Sequence, residues 1–324
     1  MKKNIQPLLL LWLLLLAGLT AQAQQQAQYS QYMNNNYILN PGVAGTEDYI
    51  DLKFSYRTQW TGLEGAPRTY YASVNSSLGK WRSQTKRTMH DRHRPFHALG
   101  AIVSNDVTGP TSRMGVYGSY TINLALVRNI RVALGLSAGM QQFAVDGQQL
   151  RFYDVNNRGA SAASRVLDGT AGVWLYSPDF YVGFSGAQLL GNALDFSYSQ
   201  TGVSGDGSNN LRRHYFGTAG VRLRVDDNWT LVPSVLVKAV APAPVSVDLN
   251  AKLRFQDLLW GGISWRATDS FVGMVGVTYE QYALSYSYDA GLSDLSSYHG
   301  GSHEILLGLR LKKKAKVVCT DRFW

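Results

Sequence analysis

The chain has 324 residues, a formal net charge of +9, 12% aromatic residues and a single cysteine. Because Cys319 stands alone, an intramolecular disulfide framework is excluded. No apolar run after Gln24 reaches the ~18 residues that a membrane-spanning helix needs, so a helical membrane bundle is excluded as well.

Residues 1–23 read as a secretory signal peptide. Lys2 and Lys3 form its positive start, Leu8 to Leu19 its short apolar core, and Ala21-Gln22-Ala23 an A-x-A cleavage signal, so the mature chain is expected to begin at Gln24. An exported chain sets nucleic acid aside as a partner. Residues 24–48 are rich in Gln, Asn and Tyr and too polar to form a core alone. They are expected to fold into the lumen, as a plug, or along the rim of the domain that follows.

From residue 49 to 311 apolar and polar residues alternate in segments of about ten, the period of a strand between two environments. In the first segment Ile50, Leu52, Phe54 and Tyr56 point one way and Asp51, Lys53, Ser55 and Arg57 the other. The clearest runs from Val245 to Gln256, with Val247, Leu249, Ala251 and Leu253 against Asp248, Asn250, Lys252 and Arg254. About fourteen such strands are expected: 49–59, 69–78, 96–105, 112–125, 129–142, 166–176, 180–188, 213–225, 229–238, 245–256, 258–267, 270–280, 282–289 and 303–311. Export, aromatic richness and period-two alternation without helices predict an all-β fold, a transmembrane antiparallel β-barrel of the outer membrane. A soluble sandwich alternates too, but with shorter strands around an interior core.

An even strand count places both termini on one side, the periplasmic side in bacterial barrels. Tight turns are expected there, near Val127–Arg128, Ser177–Asp179, Asp226–Asn228, Gln256–Asp257 and Glu280–Gln281, with long loops 143–165, 189–212 and 290–302 outside. The connection 79–95 breaks this pattern by being long on the tight-turn side. It carries Lys80, Arg82, Lys86, Arg87, Arg92 and Arg94 against Asp91, a net +5; the basic tail 312–324 carries a further +4. Clustered charge attracts acidic partners. Trp81, Arg82, Lys86, Arg87, Arg92 and Arg94 are therefore candidate partner-binding residues.

Short motifs also carry a family resemblance. The order Tyr56-Arg57-x-Gln59-Trp60, Gly62, Gly65-Ala66-Pro67 and Thr69 resembles the first hairpin of the PorP/SprF family. Asn40-Pro41 and Ala44-Gly45 resemble its mature N-terminus, and further matches lie at Asn105-Asp106, Gly109-Pro110-Thr111, Arg213-His214-Tyr215 and Gly300-Gly301-Ser302-His303-Glu304. The resemblance implies an outer-membrane component of a type IX secretion system. Its implied partners are outer-membrane lipid, periplasmic secretion components and a secreted or surface cargo protein, gliding-type adhesins included. A passive porin is the alternative that the fold alone would allow.

Catalytic and metal motifs are poor. Gly135-Leu136-Ser137-Ala138-Gly139 matches Gly-x-Ser-x-Gly by letter but falls inside a strand, not on a strand-to-helix turn. His90, His93 and His97 have metal-like spacing in a cationic setting, and His303-Glu304 resembles an acid–base pair only by adjacency. No cofactor, metal ligand or catalytic residue is assigned, and the chain reads as a non-enzyme. The charges expected to face the lumen are Asp51, Lys53, Arg57, Arg131, Arg222, Arg224, Asp248, Lys252, Arg254, Arg266, Glu304 and Arg310. They line a channel or pair with the N-terminal segment; residue types alone leave both open.

Overall fold

The computed structural model describes residues 26–78, 95–127, 129–150, 161–194, 210–267, 269–292 and 294–311. The expected signal peptide, the candidate residues Trp81 to Arg94 and the basic tail lie outside the described residues.

Fifteen strand segments follow in order: β1 (Ile50–Thr58), β2 (Arg68–Ser77), β3 (Phe96–Thr108), β4 (Thr111–Val127) and β5 (Ile130–Val145). Then come β6 (Ala162–Tyr176), β7 (Phe180–Ala187), β8 (His214–Val221), β9 (Leu223–Arg224) and β10 (Trp229–Val240). The last are β11 (Ser246–Phe255), β12 (Leu259–Arg266), β13 (Ser270–Tyr279), β14 (Tyr282–Gly291) and β15 (Ser302–Leu311). Each pairs antiparallel with its neighbours, and β1 pairs with β15, from Ile50 opposite Leu311 to Thr58 opposite His303, which closes the sheet. β8 and β9 both pair with β10 and are two pieces of one stave, so the described barrel has fourteen staves. The break between them, at Arg222, is where the backbone N–H turns to donate to the Asp179 carbonyl.

The expected strands are all present. β3 to β6 reach further than the alternation suggested, to Thr108, from Thr111, to Val145 and from Ala162. Beyond the bilayer both faces of a strand meet polar surroundings, so the ladder continues while the alternation fades. Polar cross-strand pairs mark these extensions: Thr69 Oγ1 donates to Asp106 Oδ1 at 2.6 Å, and Arg165 Nε to Gln142 Oε1 at 2.9 Å.

Strands of about ten residues, rising ~3.3 Å per residue and tilted by roughly 35–45°, match an apolar band of about 25 Å. Mid-height outward positions carry exposed Phe54, Leu136, Val182, Ile263, Leu284 and Leu307. Aromatic residues flank them. Tyr56 stacks on Tyr70 at 4.8 Å and Phe184 lies by Tyr215 at one end; Trp229 and Phe255, with Tyr279 and Tyr282, ring the other. Amphipathic rings collect at both membrane–water boundaries of such barrels. The charges point inward, as expected from the ~2–4 kcal/mol cost of a lipid-facing Arg or Lys. Asp51, Arg57, Asp248, Arg266 and Glu304 are buried; Lys53, Arg131, Arg222, Lys252, Arg254 and Arg310 are half-buried; Arg224 is exposed at a strand end.

Candidate functional site

The lumen contains residues 28–46 of the chain's own N-terminal stretch. Asn, Pro and Gly break this stretch into three one-turn 3-10 helices, Tyr32–Asn34, Asn36–Ile38 and Pro41–Val43. Asn40 caps the last. Its Oδ1 accepts from the Gly42 N–H at 2.8 Å, and Pro41 occupies the first helical position, where a missing N–H costs nothing.

The segment is tethered to strands all around the wall. Asn35 Nδ2 donates to Ser73 Oγ at 3.0 Å and the Gly45 N–H to Asn75 Oδ1 at 3.0 Å, both on β2. The Tyr37 hydroxyl meets Ser119 Oγ at 2.6 Å and Thr121 Oγ1 donates to the Pro41 carbonyl at 2.7 Å, on β4. Ser185 Oγ of β7 donates to the Leu39 carbonyl at 2.6 Å, and Asn250 Nδ2 of β11 to the Tyr32 hydroxyl at 2.6 Å. Burial pushes the Tyr37 hydroxyl up to about 12. Each hydrogen bond contributes about 0.5–1.5 kcal/mol, whereas ordering one residue's backbone costs about 1–2 kcal/mol. The tethers alone therefore do not hold the segment. Apolar burial adds the rest: Tyr32 and Leu39 pack with Ala187, Phe216 and Leu236, and Tyr37 and Ala44 pack with Ala98.

Glycines on the wall make room for this packing. Gly135 of β5 and Gly172 of β6 face each other in register. A Cβ on Gly135 would meet the Pro41 carbonyl carbon and the Gly42 nitrogen at 2.4 Å, and one on Gly172 would meet Asn40 Oδ1 at 2.1 Å. Gly135 thus belongs to a packing dent. Ser137 donates to the Gly118 carbonyl at 3.1 Å, and the Gly-x-Ser-x-Gly letters have the strand setting anticipated above.

A chain of alternating, mostly buried charges crosses the wall from β10 to β1. Lys238 Nζ lies 3.1 Å from Asp248 Oδ2, and Arg266 Nε 3.6 Å from the same oxygen. Arg266 Nη1 is 2.8 Å from Asp269 and 3.9 Å from Asp289 Oδ2. Arg57 Nη1 lies 2.9 Å from Asp289 Oδ2 and 3.7 Å from Glu304 Oε2. The N-terminal segment enters this chain at Ser30. Its N–H donates to Glu304 Oε2 at 2.7 Å, its hydroxyl donates to Asp289 Oδ2 at 2.6 Å, and Arg57 Nη1 donates to that hydroxyl oxygen. Gln31 Nε2 donates to the Glu304 carbonyl at 2.9 Å, and Ser285 Oγ to Gln31 Oε1 at 2.5 Å.

The motif residues of the first hairpin, the β3–β4 turn and the last strand converge at this end of the barrel, whereas Asn40-Pro41 sit in the glycine dent and Ala44-Gly45 lie nearer the other end. Arg57 and Glu304 are paired across β1 and β15, joining the first hairpin to the last strand. Above them, the Thr61 N–H donates to the Gly301 carbonyl at 2.8 Å, the Gly300 N–H to the Thr61 carbonyl at 2.7 Å and the Trp60 N–H to Ser302 Oγ at 3.2 Å. The Gln59 N–H closes its loop on the Pro67 carbonyl at 2.9 Å, and Ala66 on Leu63. Gly62 and Gly65 have φ of 103° and 73°, which glycine adopts freely. The Gly109 N–H donates to the Gly65 carbonyl at 2.8 Å, so the Gly109-Pro110 turn joins the same cluster. Asp106 holds Thr69, while Asn105 stands opposite Tyr70 and Met114.

Other candidates are not brought together. Successive strand residues face opposite sides. Accordingly Glu304 points into the lumen, whereas His303 Nδ1 meets the Tyr286 hydroxyl at 2.7 Å near the outer surface. His97 pairs with the Tyr120 hydroxyl at 2.6 Å, and His90 and His93 lie outside the described residues. Sequence reasoning missed Ser30 and Gln31 as the residues that enter the charge chain. The only signal was their place in the polar lead-in 24–48.

A closed antiparallel sheet with an apolar outer band, two aromatic girdles and an inward charge chain defines a transmembrane β-barrel. The chain belongs to the PorP/SprF family of type IX secretion system membrane proteins, whose model matches residues 21–309. It is thus an outer-membrane component associated with type IX secretion. No curated protein matches the chain. Among solved structures it is similar to the translocator domain of the autotransporter NalP from Neisseria meningitidis, at 13% identity, with 82% of this chain and 87% of that chain covered and a TM-score of 0.43. It is also similar to a FadL homologue of Pseudomonas aeruginosa, at 10% identity over 84% and 91% of the two chains with a TM-score of 0.43. A third is the outer membrane protein Omp33 of Acinetobacter baumannii, at 11% identity over 83% and 100% with a TM-score of 0.41.

Proposed function

We propose that the protein is a closed, non-enzymatic docking component of the type IX secretion system. Its lumen is plugged by its own N-terminal segment, and it connects the outer membrane to periplasmic secretion components that serve particular secreted or surface cargo. The observation that carries this reading is the filling of the lumen by residues 28–46, held by buried hydrogen bonds and the Arg57–Asp289–Glu304 group. A passive porin needs an open path, and an anchored self-segment works against one.

The tight-turn end is read as periplasmic, because bacterial barrels keep short turns and termini there. The connection 79–95 and the tail 312–324 leave the barrel at that end, and together their net charge equals the +9 of the whole chain. Charge of one sign speeds encounter and selects partners. Trp81, Arg82, Lys86, Arg87, Arg92 and Arg94 are proposed to dock an acidic surface of a periplasmic secretion protein. Reversing Lys86, Arg87, Arg92 and Arg94 to Glu is expected to leave barrel assembly intact while partner recovery from solubilised outer membrane falls about tenfold or more. Secretion of specific cargo should fall with it. Recovery by the unaltered protein should weaken with salt, as the Debye length shortens from ~10 Å at 0.1 M to ~3 Å at 1 M. Undiminished recovery and secretion in the reversed variant would overturn the docking role.

A further inference from the structure

The lumen wall near the tight-turn end holds a second group of charges that the chain from β10 to β1 does not absorb. Lys53, Lys252, Arg254 and Arg310 line one cavity of about 90 Å³ between the N-terminal segment and β1, β11 and β15, together with the carboxylates Glu47, Asp51 and Asp257. Two of these cations are matched: Lys53 Nζ lies 2.5 Å from Asp51 Oδ2, and Arg254 pairs with Asp257. The other two are not. Among the described residues neither Lys252 nor Arg310 has a carboxylate within ion-pair distance. Each lies over an aromatic face instead. Lys252 Nζ sits 4.4 Å from the centre of the Trp260 ring, and the Arg310 guanidinium 5.5 Å from that of Tyr49. The one hydrogen bond given to the Lys252 ammonium goes to Asn34 Oδ1 at 2.6 Å.

Cation–π contacts hold a cation in place without neutralising it. A partly desolvated charge without a counter-charge is costly, and here the cations Lys53, Arg254 and Arg310 line the same cavity as Lys252. A resident or incoming anion removes that cost. We propose that this cavity is an anion-binding pocket, with Lys252 and Arg310 as its ligating groups, that takes a carboxylate from an acidic polypeptide segment. The cavity opens to the lumen between the N-terminal segment and the wall, so a bilayer phospholipid would have to leave its leaflet to reach it. Its volume suits an anionic group and a few waters rather than a folded domain. The basic segments 79–95 and 312–324 start at the same end and would draw acidic chains towards it. The pocket does not depend on the secretion reading, because it is defined by the barrel's own residues.

The test uses the purified full-length protein in detergent, titrated by calorimetry with capped hexaglutamate, with inorganic phosphate, and with nanodiscs containing an anionic phospholipid. Hexaglutamate is expected to bind, and Lys252→Met with Arg310→Gln to weaken it at least tenfold while heat-modifiability persists. A second variant needs no loss of charge. Asn34→Asp places a carboxylate beside Lys252, and it should abolish hexaglutamate binding while leaving the fold at least as heat-resistant. The Lys86, Arg87, Arg92, Arg94→Glu variant should retain binding to the pocket at high salt, where loop attraction is screened. Hexaglutamate binding that is equal in the unaltered, pocket and Asn34→Asp proteins would overturn the proposal. So would binding of phosphate or anionic lipid alone.

Discussion

Replacing Arg57 by alanine is expected to destabilise the barrel by about 3–5 kcal/mol and to release the N-terminal segment, because removing one partner of a buried ion pair strands the others. Arg57 is 2% exposed, and its partners Asp289 and Glu304 are 3% and 0% exposed. Without the guanidinium, two carboxylates face each other across a serine with little access to water. Ser30 loses a donor to its hydroxyl, and the carboxylates that anchor it now repel each other. The transition from the compact to the unfolded band on unboiled gels should move to a lower temperature. Chymotrypsin should cut the N-terminal segment at Tyr29, Tyr32 or Tyr37 in the variant but not in the parent. Adding Glu304→Gln to Arg57→Ala removes one stranded charge and should recover part of the loss. An unchanged transition temperature in Arg57→Ala would show that the charge chain does not hold this end together.

The double variant Gly135→Val, Gly172→Val is expected to separate the barrel from its contents. Valine suits a strand better than glycine, so the wall should assemble and remain heat-modifiable. The new side chains would occupy the dent that receives Asn40, Pro41 and Gly42, where even a Cβ comes within 2.1–2.4 Å of their atoms. Overpacking of this kind costs about 1–3 kcal/mol when neighbours adjust. Here the neighbour that gives way is a segment held chiefly by single hydrogen bonds and a few apolar contacts. The expected readout is chymotryptic cleavage of the segment in a correctly folded barrel. A protected segment in the double variant would mean that it is not seated in the glycine dent.

The wall was legible because lipid and lumen impose opposite chemistries on alternate residues. Phe54 and Arg57, or Leu249 and Asp248, declare their faces without any knowledge of their neighbours. The outer ends of β3 to β6 were not legible, since residues such as Asp106 and Arg165 stand where both faces meet polar surroundings. Arg57 and Glu304 were visible as motif residues. Their meeting depends on closure, which pairs β1 with β15. Asp289 was readable only as an inward position of its strand. The path of residues 28–46 had no periodic signal at all, because it is built from single 3-10 turns. Its mark on the wall, the facing pair Gly135 and Gly172, looks in the sequence like any glycine in a strand.

Planar-bilayer conductance tests the closed-lumen account most directly. The purified full-length protein is expected to insert without steady conductance, whereas a variant lacking residues 28–46 should open stable, ohmic channels in the same bilayer. Steady conductance by the full-length protein, unchanged when those residues are removed, would contradict the account and favour a passive porin.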